Sequence, residues 1–378
     1  MKLAGLRVID LSVFLPGPYL TKALADHGAE VIKVEVPETG DPGRQIGVSD
    51  GPSTVFFRNL NRGKKSVVVN LKDAVDRERL LELCDSADVF VESFRPGVVK
   101  RLGCDYETLR ARNPGIVYCS VSAFGQDGPY RDRPAHDLAV QALGGSLSMT
   151  LGEDDLPAIP AVPIADIVAG LQALAGVLMA LLRRQTTGRG DYLDVSMHES
   201  LVAALPNILG PTLAENRQPV AKHERTTGGS AFYRIYRTRD GRQVVLGGQE
   251  PKFVRTLLEA LGRPELGALC ERGPGVHQQP VIEFLRETFL GRTRAEWDEC
   301  LGSLDVCYGV VNTLPEALSD PRLIARGMIV KDELGRRHLG SPIRFREEPA
   351  NLDLHEPGLG AHNRELFGTG DASHGRES

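Results

Sequence analysis

The sequence predicts an α/β chain, with a large domain built on a mostly parallel sheet and a smaller α+β domain after it. Three observations predict this. Apolar strand-like runs alternate with helix-like stretches of about ten residues through the first third, the pattern of βαβ units. A passage rich in Pro and Gly from Ala203 to Gly229 then loosens the texture. Beyond it, FYRIYRTRDGRQVVLGG reads as a hairpin turning at Asp240-Gly241, with helical segments behind it. At 378 residues the chain exceeds one typical domain.

Taken in order, Leu6–Leu11 is a compact apolar strand, and Pro18–His27 a helix stopped by Gly28. Glu30–Val36 alternates like a second strand. The cycle repeats with a strand at Ser66–Leu71, a charged helix at Ala74–Cys84 and a strand at Asp88–Glu92. A helix over Val98–Arg112 and a strand at Ile116–Val121 close the series. Ile164–Leu182 is apolar over a length that could cross a membrane. Asp166 and Gln172 interrupt it and Arg183-Arg184 end it, so the expectation is a core helix and no membrane partner. Further helices are expected at Phe253–Leu261, Pro280–Leu290 and Arg294–Leu301. The expected organisation is a large domain over residues 1–202, a linker over 203–229, and a small domain over 230–327. Residues 328–367 would return to the large domain, and the tail from Gly368 would be disordered.

Composition removes several classes of function. Hydrophobic residues make up 41% and charged residues 25%, an ordinary globular balance. A net charge of −5 gives no general attraction to nucleic acid or anionic membrane, so any anion site must be a local basic cluster. The opening MKLAGLRVIDLS lacks the features of a signal peptide, and a cytoplasmic location is expected. The six cysteines contain no CxxC pair, so neither a zinc site nor a disulfide scaffold is expected. After the first strand comes Ser12-Val13-Phe14-Leu15-Pro16-Gly17-Pro18. It holds no GxGxxG, and its prolines lack the N–H donors a pyrophosphate needs, which argues against a nicotinamide enzyme.

Local basic clusters do occur. Arg58, Arg62, Lys64 and Lys65 surround Asn61 just before a strand; taken alone they read as a solvated turn. Arg95, in Glu92-Ser93-Phe94-Arg95-Pro96-Gly97, follows a strand's carboxyl end, where ligands of open α/β sheets bind, and its planar fork suits phosphate oxygens. The loop from Ser122 through Phe124, Gly125 and Gln126 follows the next strand on the same edge. Three side chains are candidates for chemistry. His136 enters an apolar helix-like segment, and Asp137 either holds its imidazole or caps that helix. Asp166 opens the long apolar helix, either as an N-cap or as an ionised carboxylate serving as base or nucleophile. Glu250 follows a strand and precedes Pro251, the position of a helix cap.

The ordered set Leu60–Ser66, Phe94-Arg95-Pro96-Gly97, Phe124-Gly125-Gln126, His136-Asp137, Ala165-Asp166 and Glu250-Pro251-Lys252-Phe253 resembles the α-methylacyl-CoA racemase branch of the family III CoA-transferase superfamily. The likeness runs from about Leu3 to Phe367 and includes Thr187-Gly188-Arg189-Gly190 and Asp320-Pro321-Arg322. It implies a Rossmann-like large domain, a smaller second domain, and an interlocked homodimer whose chains thread through each other. It also implies no metal and no prosthetic group, with coenzyme A entering as part of an acyl-CoA substrate. CoA is then expected near Asn61, Lys64, Lys65, Arg95 and the Phe124–Gln126 loop, with Asp166 as the shared catalytic aspartate. His136 and Glu250 match the further residues of the racemase branch.

The two reactions make different demands. Racemisation next to a thioester needs a base on each face of the α-carbon and stabilisation of the enolate oxygen, which His136, Asp166 and Glu250 could share. Transfer of CoA between acids needs only a carboxylate nucleophile, Asp166. The paired acid–base groups favour a 2-methylacyl-CoA racemase, with CoA transfer through an aspartyl-CoA thioester at Asp166 as the alternative. Gln141–Gly145 and the absence of a glycine run after Asp166 lean towards that alternative.

Overall fold

The computed structural model describes residues 1–368; the part of the expected disordered tail from 369 onward lies outside the described residues. The chain divides into two compact units. The first comprises Met1–Gly144, Val162–Val202 and the chain from Pro321 onward; the second comprises Gly145–Ala161 and Ala203–Asp320. Residues 203–229, expected as a linker, are therefore part of the second unit, as is the excursion Gly145–Ala161.

The first unit is a six-stranded parallel sheet in the order β3-β2-β1-β4-β5-β6. Its strands are β1 (Arg7–Asp10), β2 (Glu30–Glu35), β3 (Lys65–Val68), β4 (Val89–Glu92), β5 (Val117–Ser122) and β6 (Tyr192–Ser196). They read as nearly continuous apolar runs because helices cover both faces. Alternation sorts the side chains: Val8, Val31, Val89, Val91 and Val117 face one core, packed against α1 (Pro16–Asp26) and α7 (Ile164–Thr187). Ile9, Ile32, Val34, Phe90 and Tyr118 face the other core, with Leu80 and Leu81 of α3 (Ala74–Cys84). Between these lie α2 (Val55–Asn61), α4 (Val98–Arg101), α5 (Tyr106–Arg112) and α6 (Asp137–Leu143). The single helix expected over Val98–Arg112 is two: Gly103 turns left-handed at φ +72°, and the Asp105 carboxylate caps a fresh start by accepting from the Thr108 N–H.

Helix α7 approaches α1 closely because Gly170 leaves room; a Cβ there would lie 2.8 Å from the Pro16 carbonyl oxygen. Its buried face is Ala165, Ala169, Gly170, Ala173, Val177 and Leu181. The opposite face leaves Leu171, Leu178, Met179 and Leu182 exposed, so the expected core helix is buried on one side only.

The second unit carries α9 (Gly210–Glu215), reached through α8 (Met197–Ala203), and an antiparallel sheet of β7 (Arg234–Arg237), β8 (Gln243–Leu246) and β9 (Tyr308–Val310). The hairpin turns at Gly241, φ +74°, as the Asp-Gly pair predicts. Behind it α10 (Pro251–Ala260), α11 (Gly267–Glu271), α12 (Gln279–Phe289) and α13 (Arg294–Gly302) bury Leu257, Leu285, Phe289 and Trp297. Helix α14 (Leu314–Leu318) precedes the return to the first unit through α15 (Pro321–Ala325) and the hairpin β10 (Ile329–Lys331)–β11 (Arg337–Leu339). The last described helix, α16 (Asn363–Phe367), closes the β3 edge. The Asn363 side chain accepts from the Val68 N–H at 2.8 Å and donates to its carbonyl at 3.1 Å, as a neighbouring strand would.

Candidate active site at the strand ends

Strand order reverses between β1 and β4, the switch point beyond whose strand ends open α/β sheets bind their ligands. Ser93 bridges the two loops: its hydroxyl accepts from the Val13 N–H at 2.9 Å. The β1 loop carries Phe14 in the left-handed region, φ 63°, an arrangement that costs about 1 kcal/mol for a side chain of this kind. The Phe14 ring meets the His136 imidazole edge-on at 5.8 Å.

His136 and Asp166 stand at the starts of α6 and α7, and Asp137 ties those two starts together. One Asp137 carboxylate oxygen accepts from the N–H groups of Ala165, at 2.8 Å, and Asp166, at 3.3 Å; the other accepts from Gln141 Nε2 at 2.6 Å. The N-cap of α7 is Pro163, which has no side-chain acceptor. Asp166 is thus the third residue of the helix and not its cap. Its carboxylate has no hydrogen-bond partner among the described residues and is free to react. Burial first, and then the negative charge of Asp137, push the Asp166 carboxyl up to about 7.

Arg95 is exposed on the β4 loop, without a side-chain partner among the described residues. Beneath that loop the Glu92 carboxylate accepts from the Phe94 N–H at 2.8 Å. Beneath the β5 loop, Asp194 accepts from the Gln126 N–H at 2.8 Å, and Gly125 turns at φ +82°. Phe124 is buried between Tyr130 and His198. Burial, with the nearby Asp194 charge adding to it, pushes Glu92 up to about 7. The loops bearing Arg95 and Phe124–Gln126 thus share one edge, the first resting on the buried Glu92 carboxylate and the second on the exposed Asp194 carboxylate.

Three expected CoA contacts are occupied by partners within the chain. Lys64 is wholly buried and donates to Asp10 at 2.9 Å, Thr21 at 2.7 Å and Asn61 at 2.8 Å. Asn61 completes the same network and donates to the Phe57 carbonyl at 3.2 Å. Burial alone would push Asp10 up; the Lys64 and Lys33 ammoniums and the Ser12 and Thr21 hydroxyls hold it down at about 2. Lys65 pairs with Glu30 and Glu365. The basic cluster is therefore no solvated turn either: Arg62 is buried against Asp26 at 2.6 Å, and Arg58 meets Asp50 at 3.0 Å. Glu250 belongs to the second unit, where it is exposed at the N-cap of α10 without making a capping hydrogen bond.

A cavity of about 390 Å³ lined by Arg110, Arg183 and Arg189 lies near the carboxyl end of α7. At 1.5 Å of rise per residue, Arg183 is about 25 Å along the helix from Asp166, too far to share its chemistry. Among the described residues no cluster of His, Cys, Asp and Glu could hold a metal ion. Sequence reasoning missed the role of Asp137. Its signal was Pro163, which leaves the first N–H groups of a long helix without a local acceptor.

The family model for CoA-transferase family III matches residues 3–363. The chain belongs to that family. It is 33% identical to succinyl-CoA–D-citramalate CoA-transferase of Chloroflexus aurantiacus, over 97% of this chain and 93% of that one. It is 34% identical to acetyl-CoA:oxalate CoA-transferase of Acetobacter aceti, over 94% and 93% respectively. A solved CaiB/BaiF family protein from Brucella suis superposes with a TM-score of 0.84 at 31% identity, covering 97% of this chain and 98% of that chain. This family III chain is accordingly an enzyme of CoA chemistry. The relatives' names favour CoA transfer and lend no support to the racemase preferred from sequence.

Proposed function

We propose that this chain is a CoA-transferase that moves CoA from an acyl-CoA donor to a second carboxylic acid, with Asp166 as nucleophile. The observation that carries the reading is the unpartnered, half-buried Asp166 carboxylate at the start of α7, in a chain matched along nearly its whole length to family III. The Asp166 carboxylate attacks the donor thioester carbonyl and expels CoA thiolate, leaving a mixed anhydride. The thiolate then attacks the aspartyl carbonyl, releasing the donor acid and leaving an aspartyl-CoA thioester. An acceptor carboxylate displaces CoA thiolate from that thioester to form a second anhydride. Attack of the thiolate on the acceptor's carbonyl releases acyl-CoA and restores Asp166. No oxidant, metal or prosthetic group is required by this balance. Arg95 and the Phe124–Gln126 loop bind CoA in this reading, and the acceptor acid is a small dicarboxylate, as citramalate and oxalate are in the names of the two relatives. The enzyme acts as a cytoplasmic homodimer.

His136 is exposed at the N-cap of α6, met edge-on by Phe14, and its ring makes no side-chain hydrogen bond among the described residues. An acid–base histidine is ordinarily oriented by a partner at its second nitrogen, so this setting favours transfer over racemisation. The test is capture of the intermediate. Incubation with succinyl-CoA or acetyl-CoA followed by hydroxylamine should leave a hydroxamate at Asp166, detected by peptide mass spectrometry. Asp166→Asn should lose transfer by at least about a thousandfold. Deuterium wash-in at the α-carbon of a 2-methylacyl-CoA, with no adduct at Asp166, would overturn the proposal.

A further inference from the structure

We infer that Asp137 is the positioning residue for the Asp166 nucleophile and that its charge sets the pH range in which the nucleophile works. The inference rests on the transferase reading above. Its basis is geometric. The N-cap of the 24-residue helix Ile164–Thr187 is Pro163, which offers no side-chain acceptor, so the first N–H groups need one from elsewhere. Asp137, from a different helix, accepts from two of them, including the N–H of the nucleophile's own residue. Gln141 lies one turn further along α6 and donates to the other oxygen, which fixes the carboxylate's orientation. Asp137 therefore determines where the Asp166 backbone sits, and it places a negative charge beside the Asp166 carboxylate.

That charge has a chemical consequence. A carboxylate whose proton affinity is raised is a better nucleophile when ionised, and it is protonated, hence inert, over more of the neutral range. The other titratable groups around this helix do not supply the same field. On α1, Tyr19 packs against Gly170, one turn beyond Asp166. On β5, Cys119 is wholly buried, and burial holds its thiol protonated. On β6, Leu193 and Val195 face the same core. At the N-cap of α6 stands His136.

The experiment measures the rate at which the hydroxylamine-trappable Asp166 adduct forms from succinyl-CoA or acetyl-CoA, between pH 5 and 9, in the full-length enzyme. Asp137→Asn keeps an oxygen for the two N–H groups and removes the charge. Its acid limb should move down by about one pH unit, with an alkaline plateau reduced about three- to tenfold. Asp137→Ala also loses the cap and should fall about a hundredfold across the whole range. A structural role alone would lower the plateau without moving the limb. An Asp137→Asn profile that superimposes on the wild type overturns the inference while leaving the transferase reading standing. So does an acid limb that vanishes in His136→Ala, because it then belongs to the imidazole. If wild type forms no Asp166 adduct from either thioester, the transferase reading fails and the inference with it.

Discussion

Arg95 and Lys65 are both cations near a strand of one sheet, yet only one of them is available to a ligand. Lys65 sits between Glu30 and Glu365, so removing it disturbs an existing ion-pair cluster. Arg95 is exposed on the loop after β4, where its fork can take two phosphate oxygens. Arg95→Ala should therefore raise KM for every acyl-CoA together by about 10- to 100-fold, with kcat less affected, whereas Lys65→Ala should stay within about twofold. Equal effects in steady-state kinetics would mean that the strand-end phosphate site is misplaced. The same contrast marks how much of the site was legible in the sequence. Arg95, Phe124–Gln126, His136 and Asp166 follow strand ends or open helices, and local pattern places such positions on one edge. Lys64 and Asn61 could not be read this way, because a lysine buried through contacts to Asp10 and Thr21 has partners 54 and 43 residues away. Nothing in the neighbouring sequence distinguishes it from a surface lysine.

At the scale of elements, β4 ends in a carboxylate that is nearly fully buried. Glu92 fixes the Arg95 loop through the Phe94 N–H, and it does so with its carboxyl pushed up to about 7 from an ordinary 4.5. The native protein then holds that proton more tightly than the unfolded chain. The stabilisation this gives is complete below about pH 4.5 and is lost as pH rises through about 7. Glu92→Gln retains an oxygen for the Phe94 N–H and has no charge to bury. It should raise stability at pH 8 by on the order of 1–3 kcal/mol and change little at pH 5, so the thermal midpoint rises only on the alkaline side. Equal midpoint shifts at the two pH values in scanning calorimetry would count against a charge-burial origin. The strands themselves were readable because burial on both faces makes them continuously apolar. Helix α2 was not: its polar run Arg58, Asn59 and Asn61 suggests a turn, but Thr54 caps it by accepting from the Phe57 N–H, and Arg58 is buried.

At the scale of the whole molecule, α7 poses the largest question. Its buried face explains its place against α1 and the sheet, but Leu171, Leu178, Met179 and Leu182 remain exposed, with Met179 at 64% and Leu182 at 67%. It is also the one helix among the described residues that is long and apolar enough to cross a membrane. Two coverings would answer for such a stripe, a second protein surface or lipid. The small glycine and alanine face against α1, with Asp166 at one end and Arg183 and Arg184 at the other, favours protein, because a lipid-embedded helix would bury the Asp166 end in hydrocarbon. In the proposed homodimer a second copy of this chain would be the covering. If the two chains are linked as rings, dilution cannot separate them without unfolding. Sedimentation should then give a dimer at every concentration tested, whereas a reversible interface separates once diluted below its Kd. Replacing Met179 and Leu182 together by Glu should lower the yield of folded dimer and should not produce a stable monomer, since an unlinked chain lacks its cover. A reversible monomer at micromolar concentration would rule out linkage, and flotation of the wild-type protein with liposomes would assign the stripe to lipid instead.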